Sequence, residues 1–242
     1  GLVGWWTMDG KDTPWTSSTA ATTIDKSGNG NTGTLTNMAQ ATSPTSGKIG
    51  QGLKFDGGDD YVNSGDVLDL GTSPVTISAW IKTTANQDYA AIAGKSYFGS
   101  KEGRYSLHVR TGGILGTIAQ GSGGTIEAVS SGAINNGAWR HVVGIFSRTA
   151  GWTLYIDGAQ DGTASGDTSG QNFNTSDNFT VGYYNNNPSG YFNGSLDDVR
   201  IYNRALSQAE ITALYNSGGG KVNKSLVTNN STGTLVGHWT FD

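Results

Sequence analysis

The sequence predicts an all-β protein, an antiparallel sandwich that carries one short helix. Three observations lead there. Short apolar runs separated by Gly, Asn, Ser and Thr extend along the 242 residues; 38 glycines accompany 10 tyrosines and 7 tryptophans; and only the segment after Arg204 has helical spacing. Short strands at regular intervals with turn residues between them mark a sandwich or barrel. The aromatic content separates the chain from disordered sequences, which are poor in such residues. The length suits one large sandwich better than two small domains.

Taken in order, Leu2-Val3-Gly4-Trp5-Trp6-Thr7-Met8-Asp9 reads as a strand with Leu2, Trp6 and Met8 on one face. Residues 10–24 read as a polar loop holding Trp15, and Asp25 to Asn31 as a Gly/Asn turn before a short strand around Thr32 to Leu35. Leu53–Phe55 and Tyr61–Val62 flank Asp56-Gly57-Gly58-Asp59-Asp60, which has hairpin chemistry because glycine takes positive φ cheaply. Strands follow around 75–82, 88–95, 104–110, 113–119, 125–129, 139–147, 152–157 and 178–184, and no proline falls mid-strand. Between Phe192 and Asn216 a strand (Val199, Ile201) hands over to a helix near 207–216 with Leu206, Ile211, Leu214 and Tyr215 at helical spacing. Ser207 and Glu210 form a capping box, Leu206 can staple onto Ile211, and Gly218 to Gly220 end the helix.

The first strand has a twin. Leu235-Val236-Gly237-His238-Trp239-Thr240-Phe241-Asp242 repeats six of its eight residues in register. The expected organisation is a domain over 1–217, a linker over 218–232 rich in Gly, Asn, Ser and Thr, and the first strand of a following, similar module at 233–242. The alternative is that 233–242 is the sandwich's own last strand. With no signal-like segment after Gly1, the chain reads as an excised fragment.

Several stretches together resemble the laminin-G-like branch of the concanavalin A-like lectin/glucanase superfamily. They are Asp25-Lys26-Ser27-Gly28-Asn29-Gly30-Asn31, Gly52-Leu53-Lys54-Phe55-Asp56-Gly57-Gly58-Asp59-Asp60-Tyr61-Val62, Thr76 to Lys82, Trp139-Arg140-His141-Val142-Val143 with Leu154-Tyr155-Ile156-Asp157-Gly158, and the closing Phe192 to Asn216. The resemblance implies a concanavalin A-like jelly roll with two curved sheets of six or seven strands each. It also implies a structural Ca²⁺ held by Asp25, Gly28, Asn29, Asp197 and Asp198, tying the early loop to the last strand. Oxygen donors of this kind are what Ca²⁺ takes. The other reading of the same residues is a turn-forming Asp25 that bonds its own backbone, and an Asp197-Asp198 pair held by Arg200 or Arg204. Asp56, Asp59 and Asp60 are alternative ligands, which a hairpin turn explains more simply.

Composition bounds the partners. A net charge of −4 with 14% charged residues leaves no basic stripe for phosphates, so nucleic acid is not expected. There is no cysteine, hence no disulfide, thiolate site or cysteine nucleophile. No run of about 18 apolar residues exists, so no membrane insertion is expected. His141 reads as a satisfied, partly buried strand residue, His108 as outward-facing and His238 as a packing position.

For sugar binding the useful groups are flat aromatics beside amides and hydroxyls, because sugar faces are apolar and their edges need hydrogen bonds. Tyr183, Tyr184, Asn185, Asn186 and Tyr191 supply this mixture in one loop, with Trp15, Tyr89 and Tyr97 as further candidates. Glycoside hydrolysis normally needs two placed carboxylates, whereas Glu102, Glu127 and Glu210 are far apart and no strand shows two alternating acids. The Arg/Gln-x-His/Tyr set of lyases on this fold is missing as well. The sequence therefore reads as a non-catalytic carbohydrate-binding or adhesion module of a secreted or cell-surface bacterial protein, stabilised by calcium and set beside a tandem neighbour. Its expected partner is a polysaccharide or glycan. The alternatives are a protein-interaction or spacer repeat that meets a protein surface, and a polysaccharide-degrading enzyme.

Overall fold

A computed structural model describes residues 1–97, 102–122, 124–166, 168 and 170–218. The expected linker beyond Gly218 and the strand at 233–242 lie outside the described residues. In chain order the strands are β1 (Leu2–Trp6), β2 (Trp15–Ser17), β3 (Ala20–Thr23), β4 (Gly33–Thr36), β5 (Pro44–Ser46), β6 (Gln51–Asp56), β7 (Tyr61–Asn63), β8 (Val75–Lys82) and β9 (Ala90–Lys95). They continue as β10 (Arg104–Arg110), β11 (Ile114–Gly121), β12 (Gly124–Ala133), β13 (Arg140–Ser147), β14 (Gly151–Ile156), β15 (Ala159–Ala164), β16 (Phe179–Val181) and β17 (Asn193–Tyr202), before the helix α1 (Gln208–Ser217).

Period-two alternation builds the layers. In β8, Val75, Ile77, Ala79 and Ile81 enter the main core, while Ser78 and Trp80 meet His141 on the other side. One antiparallel sheet of eight strands runs β15-β14-β13-β8-β17-β6-β5, with β1 also on β17. The other has nine, in the order β12-β11-β10-β9-β16-β7-β4-β3-β2. Trp6 of the first sheet stacks on Phe179 of the second at 5.3 Å, and Phe146, Trp152, Tyr105 and Phe173 form an edge-to-face run. These rings are fully buried, so they fix the sheet-to-sheet contact.

The architecture corrects three expectations. The sheets hold eight and nine strands rather than six or seven, because β2, β3, β5 and β15 are short and polar and show no apolar alternation. Residues 10–24 accordingly contain β2 and β3 and are not simply a loop. Asp56 to Asp60 is not a hairpin: β6 pairs with β5 and β17, while β7 pairs with β4 and β16, so the stretch crosses from one sheet to the other. Turn chemistry is local, whereas Phe55 and Val62, both buried, dock from opposite sheets.

The helix begins as its sequence indicates. Ser207 Oγ accepts the Glu210 amide at 3.4 Å and Glu210 Oε2 accepts the Ser207 amide at 2.9 Å. Leu206 and Ile211 then pack with Val143, Ile145 and Tyr202 on the outer face of the eight-stranded sheet. Tyr215 stacks on Trp80 at 5.8 Å. Gly218 is right-handed, with φ −77°, and a Cβ there would lie 2.3 Å from the Trp80 ring, so this position needs glycine for close approach. His141 is fully buried beneath the helix; Ser78 Oγ bonds its Nε2 at 3.0 Å and its Nδ1 has no partner among the described residues.

Phe179→Ala removes the ring stacked on Trp6 and is expected to lower the unfolding free energy by about 3–5 kcal/mol, read from urea denaturation. A loss below about 1 kcal/mol would contradict the role given to this contact.

Candidate functional site

With α1 on the outside of one sheet, the outer face of the nine-stranded sheet is where exposed aromatic groups gather. In β7, Val62 enters the core and Tyr61 and Asn63 point outward. The Tyr183 and Tyr191 rings stack at 4.3 Å and 17°, bridged across their backbones, and Tyr61 lies 5.2 Å from Tyr183 and 6.3 Å from Tyr191. All three rings are half-buried. The Tyr191 hydroxyl is pushed up to about 12 by burial and then by Tyr183, so it stays a neutral donor and acceptor. The loop between them is held by its own bonds: Tyr184 N donates to Gly190 O (3.0 Å), Gly190 N to Asn187 O (2.9 Å) and Asn186 N to Tyr183 Oη (3.0 Å).

The structure brings most of the sequence candidates to one region. Asn185 is half-exposed and Asn186 exposed, and Tyr97 bridges Asn185. Tyr184 differs from its expected role: it is 1% exposed, packed edge-on against Tyr89 and His108. Trp15 also departs, lying on β2 at the far edge of the sheet and packing on the core. Tyr61 was missed because it follows an acidic turn and looks like half of a hairpin.

Beside this platform His108 corrects a further expectation. Alternation does turn it outward on β10, yet it is 0% exposed, roofed by Tyr89 at 5.1 Å and by Tyr184. Gly116 makes room for the ring, since a Cβ there would lie 2.8 Å from Nε2. Arg110 stacks over Tyr89 at 4.3 Å, bonds Asp88 at 2.7 Å and pairs with Glu127. Burial, and then Arg110, lower His108 to about 3. It is a neutral packing group. Glu127 is thus held by Arg110, Glu210 caps α1, and Glu102 lies in the exposed turn before β10, so the glutamates form no facing pair.

The proposed metal residues divide into two groups. The Asp25 carboxylate, 7% exposed, accepts Trp5 N and Ser27 N on Oδ1 and Ser27 Oγ and Asn31 N on Oδ2, all within 2.8–2.9 Å. Its lone pairs are used, Gly28 supplies the turn at φ +86°, and Asn29 Nδ2 bonds Ser27 Oγ. This loop does not fit a metal ligand set. Asp198 accepts Trp5 Nε1 at 2.7 Å and Arg200 at 2.9 Å. Trp5 therefore links the early loop to the closing strand by hydrogen bonds.

Asp197 is different. It is 0% exposed, and its Oδ2 accepts Lys48 N and Ile49 N at 2.7 Å. Its Oδ1 is buried without a partner. Burial raises it to about 7, with Asp198 and Asp9 adding to the rise against the two backbone bonds. Asp197 lines a cavity of about 250 Å³ with Asp9, Asp198, Lys26 and Arg200. The buried, unpartnered Asp197 Oδ1 is an oxygen donor of the kind a hard divalent cation takes, while Asp9 Oδ1 accepts Gln51 N at 2.7 Å and its Oδ2 lies 3.8 Å from Lys11 Nζ. Asp56, Asp59 and Asp60 also bring carboxylate oxygens within 4.8 Å of one another, but Asp60 accepts Asp56 N, and burial with its two neighbours raises it to about 6.

The comparisons agree with this architecture. Residues 56–212 match the model of the laminin-G-like family of the concanavalin A-like lectin/glucanases superfamily, more than half of the chain. The chain belongs to that family. Domain 4 of AbnA, an extracellular arabinanase from Geobacillus stearothermophilus solved in complex with arabinotriose, superposes with a TM-score of 0.64 at 20% identity, over 88% of this chain and 98% of that one. The binding domain of Paraclostridial Mosquitocidal Protein 1 superposes at 0.63 and 19% identity, over 89% and 52%. For botulinum neurotoxin type C, whose cell entry depends on two ganglioside molecules, the values are 0.56, 15%, 90% and 51%. The chain spans about half the length of these two toxin chains, and at such identities the likeness is one of fold. No curated protein matches by sequence.

His108 and His141, the latter lowered to about 4 by burial and then Arg200, sit below the ordinary 6.5. Unfolded histidine takes a proton first, so their contribution is complete above about pH 6.5 and is lost as pH falls toward 4. The imidazole NMR signals of both are expected to stay flat between pH 8 and pH 5. A midpoint near 6.5 for either would contradict their burial.

Proposed function

We propose that this chain is a carbohydrate-binding module whose ligand lies on Tyr61, Tyr183 and Tyr191, with Asn185 and Asn186 available to its hydroxyls. One observation carries the reading: three half-exposed tyrosines, two of them stacked, stand on the outer sheet face that the helix leaves free. Stacked rings with neutral hydroxyls offer an apolar surface and rim hydrogen bonds without a conformational search. Membership of a lectin/glucanase superfamily, and a structural neighbour solved with arabinotriose, support a sugar as the ligand class. The module works by holding its ligand, and the separated glutamates favour binding over hydrolysis. It acts outside the cell, where polysaccharide is found; no described helix is long and apolar enough to cross a membrane.

A calcium ion belongs to the same proposal as a stabiliser, held by Asp197 and Asp9 on the opposite side of the sandwich from the tyrosines. Such an ion would neutralise the buried carboxylate and fasten the turn at Lys48–Ile49 to the closing strand.

On a glycan array or in affinity electrophoresis, Tyr61→Ala and Tyr191→Ala are each expected to weaken binding about tenfold, about 1.4 kcal/mol, while the thermal midpoint stays near that of the parent. Unchanged retention in both variants would remove the platform from the account. Millimolar Ca²⁺ after chelation is expected to raise the midpoint of the parent and leave Asp197→Asn unmoved; a parent indifferent to the ion would dismiss the calcium.

A further inference from the structure

The tyrosine platform continues into a groove that fixes the chemistry of what it can hold. In the β4–β7 pair, Thr36 lies opposite Tyr61 and Thr34 opposite Asn63. Leu35 and Val62, between them, are buried in the core, so these four side chains share the outer face. Thr32, Ser64 and Gly65 extend the patch, and with Thr34, Thr36 and Asn63 they line a groove of about 430 Å³. That volume is within the range of about 300–1,000 Å³ usual for ligand sites. Thr36 lines the groove directly opposite Tyr61, so groove and platform are continuous, and Asn63 lies about 6.8 Å along the strand from Tyr61, the spacing of residues two apart.

Two features of the groove bear on its occupant. All six lining residues are uncharged, offering hydroxyls, one amide and backbone. The charges that do lie close are acidic. Asp59 is near enough to act on Tyr191, and Asp56 and Asp60 stand with it within 4.8 Å. Lys54 lines a cavity with Asp56 and Asp60, but none of the residues lining the groove offers a cation to a carboxylate or sulfate, so an anionic sugar there would meet Asp59 without a partner from the groove.

We propose that Thr34, Thr36 and Asn63 form a second subsite continuous with the tyrosines, and that the ligand is a neutral polysaccharide chain rather than a uronate or sulfated one. This inference rests on the carbohydrate-binding reading above and adds both an extent and a substrate class to it. Ring stacking holds one sugar; hydroxyl-to-hydroxyl bonds along the β4–β7 pair hold the next.

The test is affinity electrophoresis of the whole chain in gels containing arabinan, xylan, galactan or β-glucan as neutral polymers, and polygalacturonate, alginate or heparin as anionic ones. Retardation by at least one neutral polymer and none of the anionic ones is expected. Thr34→Glu, an exposed change, should reduce that retardation at least tenfold, and Thr34→Ser should preserve it, with both thermal midpoints near the parent's. Retardation by anionic polymers alone would overturn the substrate class and leave sugar binding standing. Retardation by a neutral polymer that Tyr61→Ala abolishes and Thr34→Glu leaves intact would overturn the second subsite. No retardation in any gel would overturn this inference together with the reading beneath it.

Discussion

The bulge in β17 is the constraint on which the rest of the sandwich depends. Asn193 to Leu196 pair with β6 on one edge, and Val199 to Tyr202 pair with β1 on that same edge, while β8 runs along the other. Where the partner changes, the register against β8 slips between Asp197 and Arg200, and Asp198 takes φ +50°. Non-glycine residues adopt that conformation when their surroundings hold them there. Here the holding is done by the two aspartates themselves. Asp197 fastens the turn at Lys48 and Ile49, and Asp198 fastens Trp5 and Arg200. One residue too few at this point would turn every later side chain of β17 to the opposite face, exposing Val199 and Ile201, both now fully buried.

The same strand decides which face of the molecule is free. After Tyr202 the chain turns over the outer side of the eight-stranded sheet, and Leu206 and Ile211 cover Val143 and Ile145. Trp80 and His141 are buried there with Tyr215. The nine-stranded sheet receives no helix among the described residues, so its outward side chains meet either solvent or one another. Near β10 they meet one another, with His108 under Tyr89 and Arg110. At β7 and β4 they meet solvent, and the tyrosine platform and the uncharged groove lie there. The division of labour between the two faces follows from where the helix lands.

Much of this was legible because it is written in local patterns. Ser207 and Glu210 are a capping box by spacing alone, and the strand 104–110 follows from Tyr105, Leu107 and Val109 alternating with polar residues. What escaped was set by partners distant in sequence. β2, β3 and β5 carry no apolar alternation and exist because an edge was available to them. The Asp56–Asp60 stretch has the composition of a hairpin and yet joins two sheets. His108 alternates correctly, but nothing near it in sequence tells that Tyr184 will close over it. The aromatic loop at 183–191 was visible as composition; its division depended on distant partners, Tyr61 of β7 beside stacked Tyr183 and Tyr191, and Tyr89 and His108 against buried Tyr184.

That third tyrosine also explains why the platform suits recognition. An isolated tyrosine in a loop has rotamer freedom that a ligand must remove, and removing it opposes binding by roughly 0.5–1.5 kcal/mol for each side chain immobilised. Tyr61 is anchored by the strand pairing of β7, Tyr191 is bridged to Tyr183, and the Tyr183 hydroxyl accepts the Asn186 amide. The rings are therefore ordered before any ligand arrives, by contacts made within the fold. The groove beside them is shaped in the same way, because Thr34, Thr36 and Asn63 are held outward by the burial of Leu35 and Val62. A surface arranged in advance in this manner needs no moving part to receive the sugar chain proposed for it.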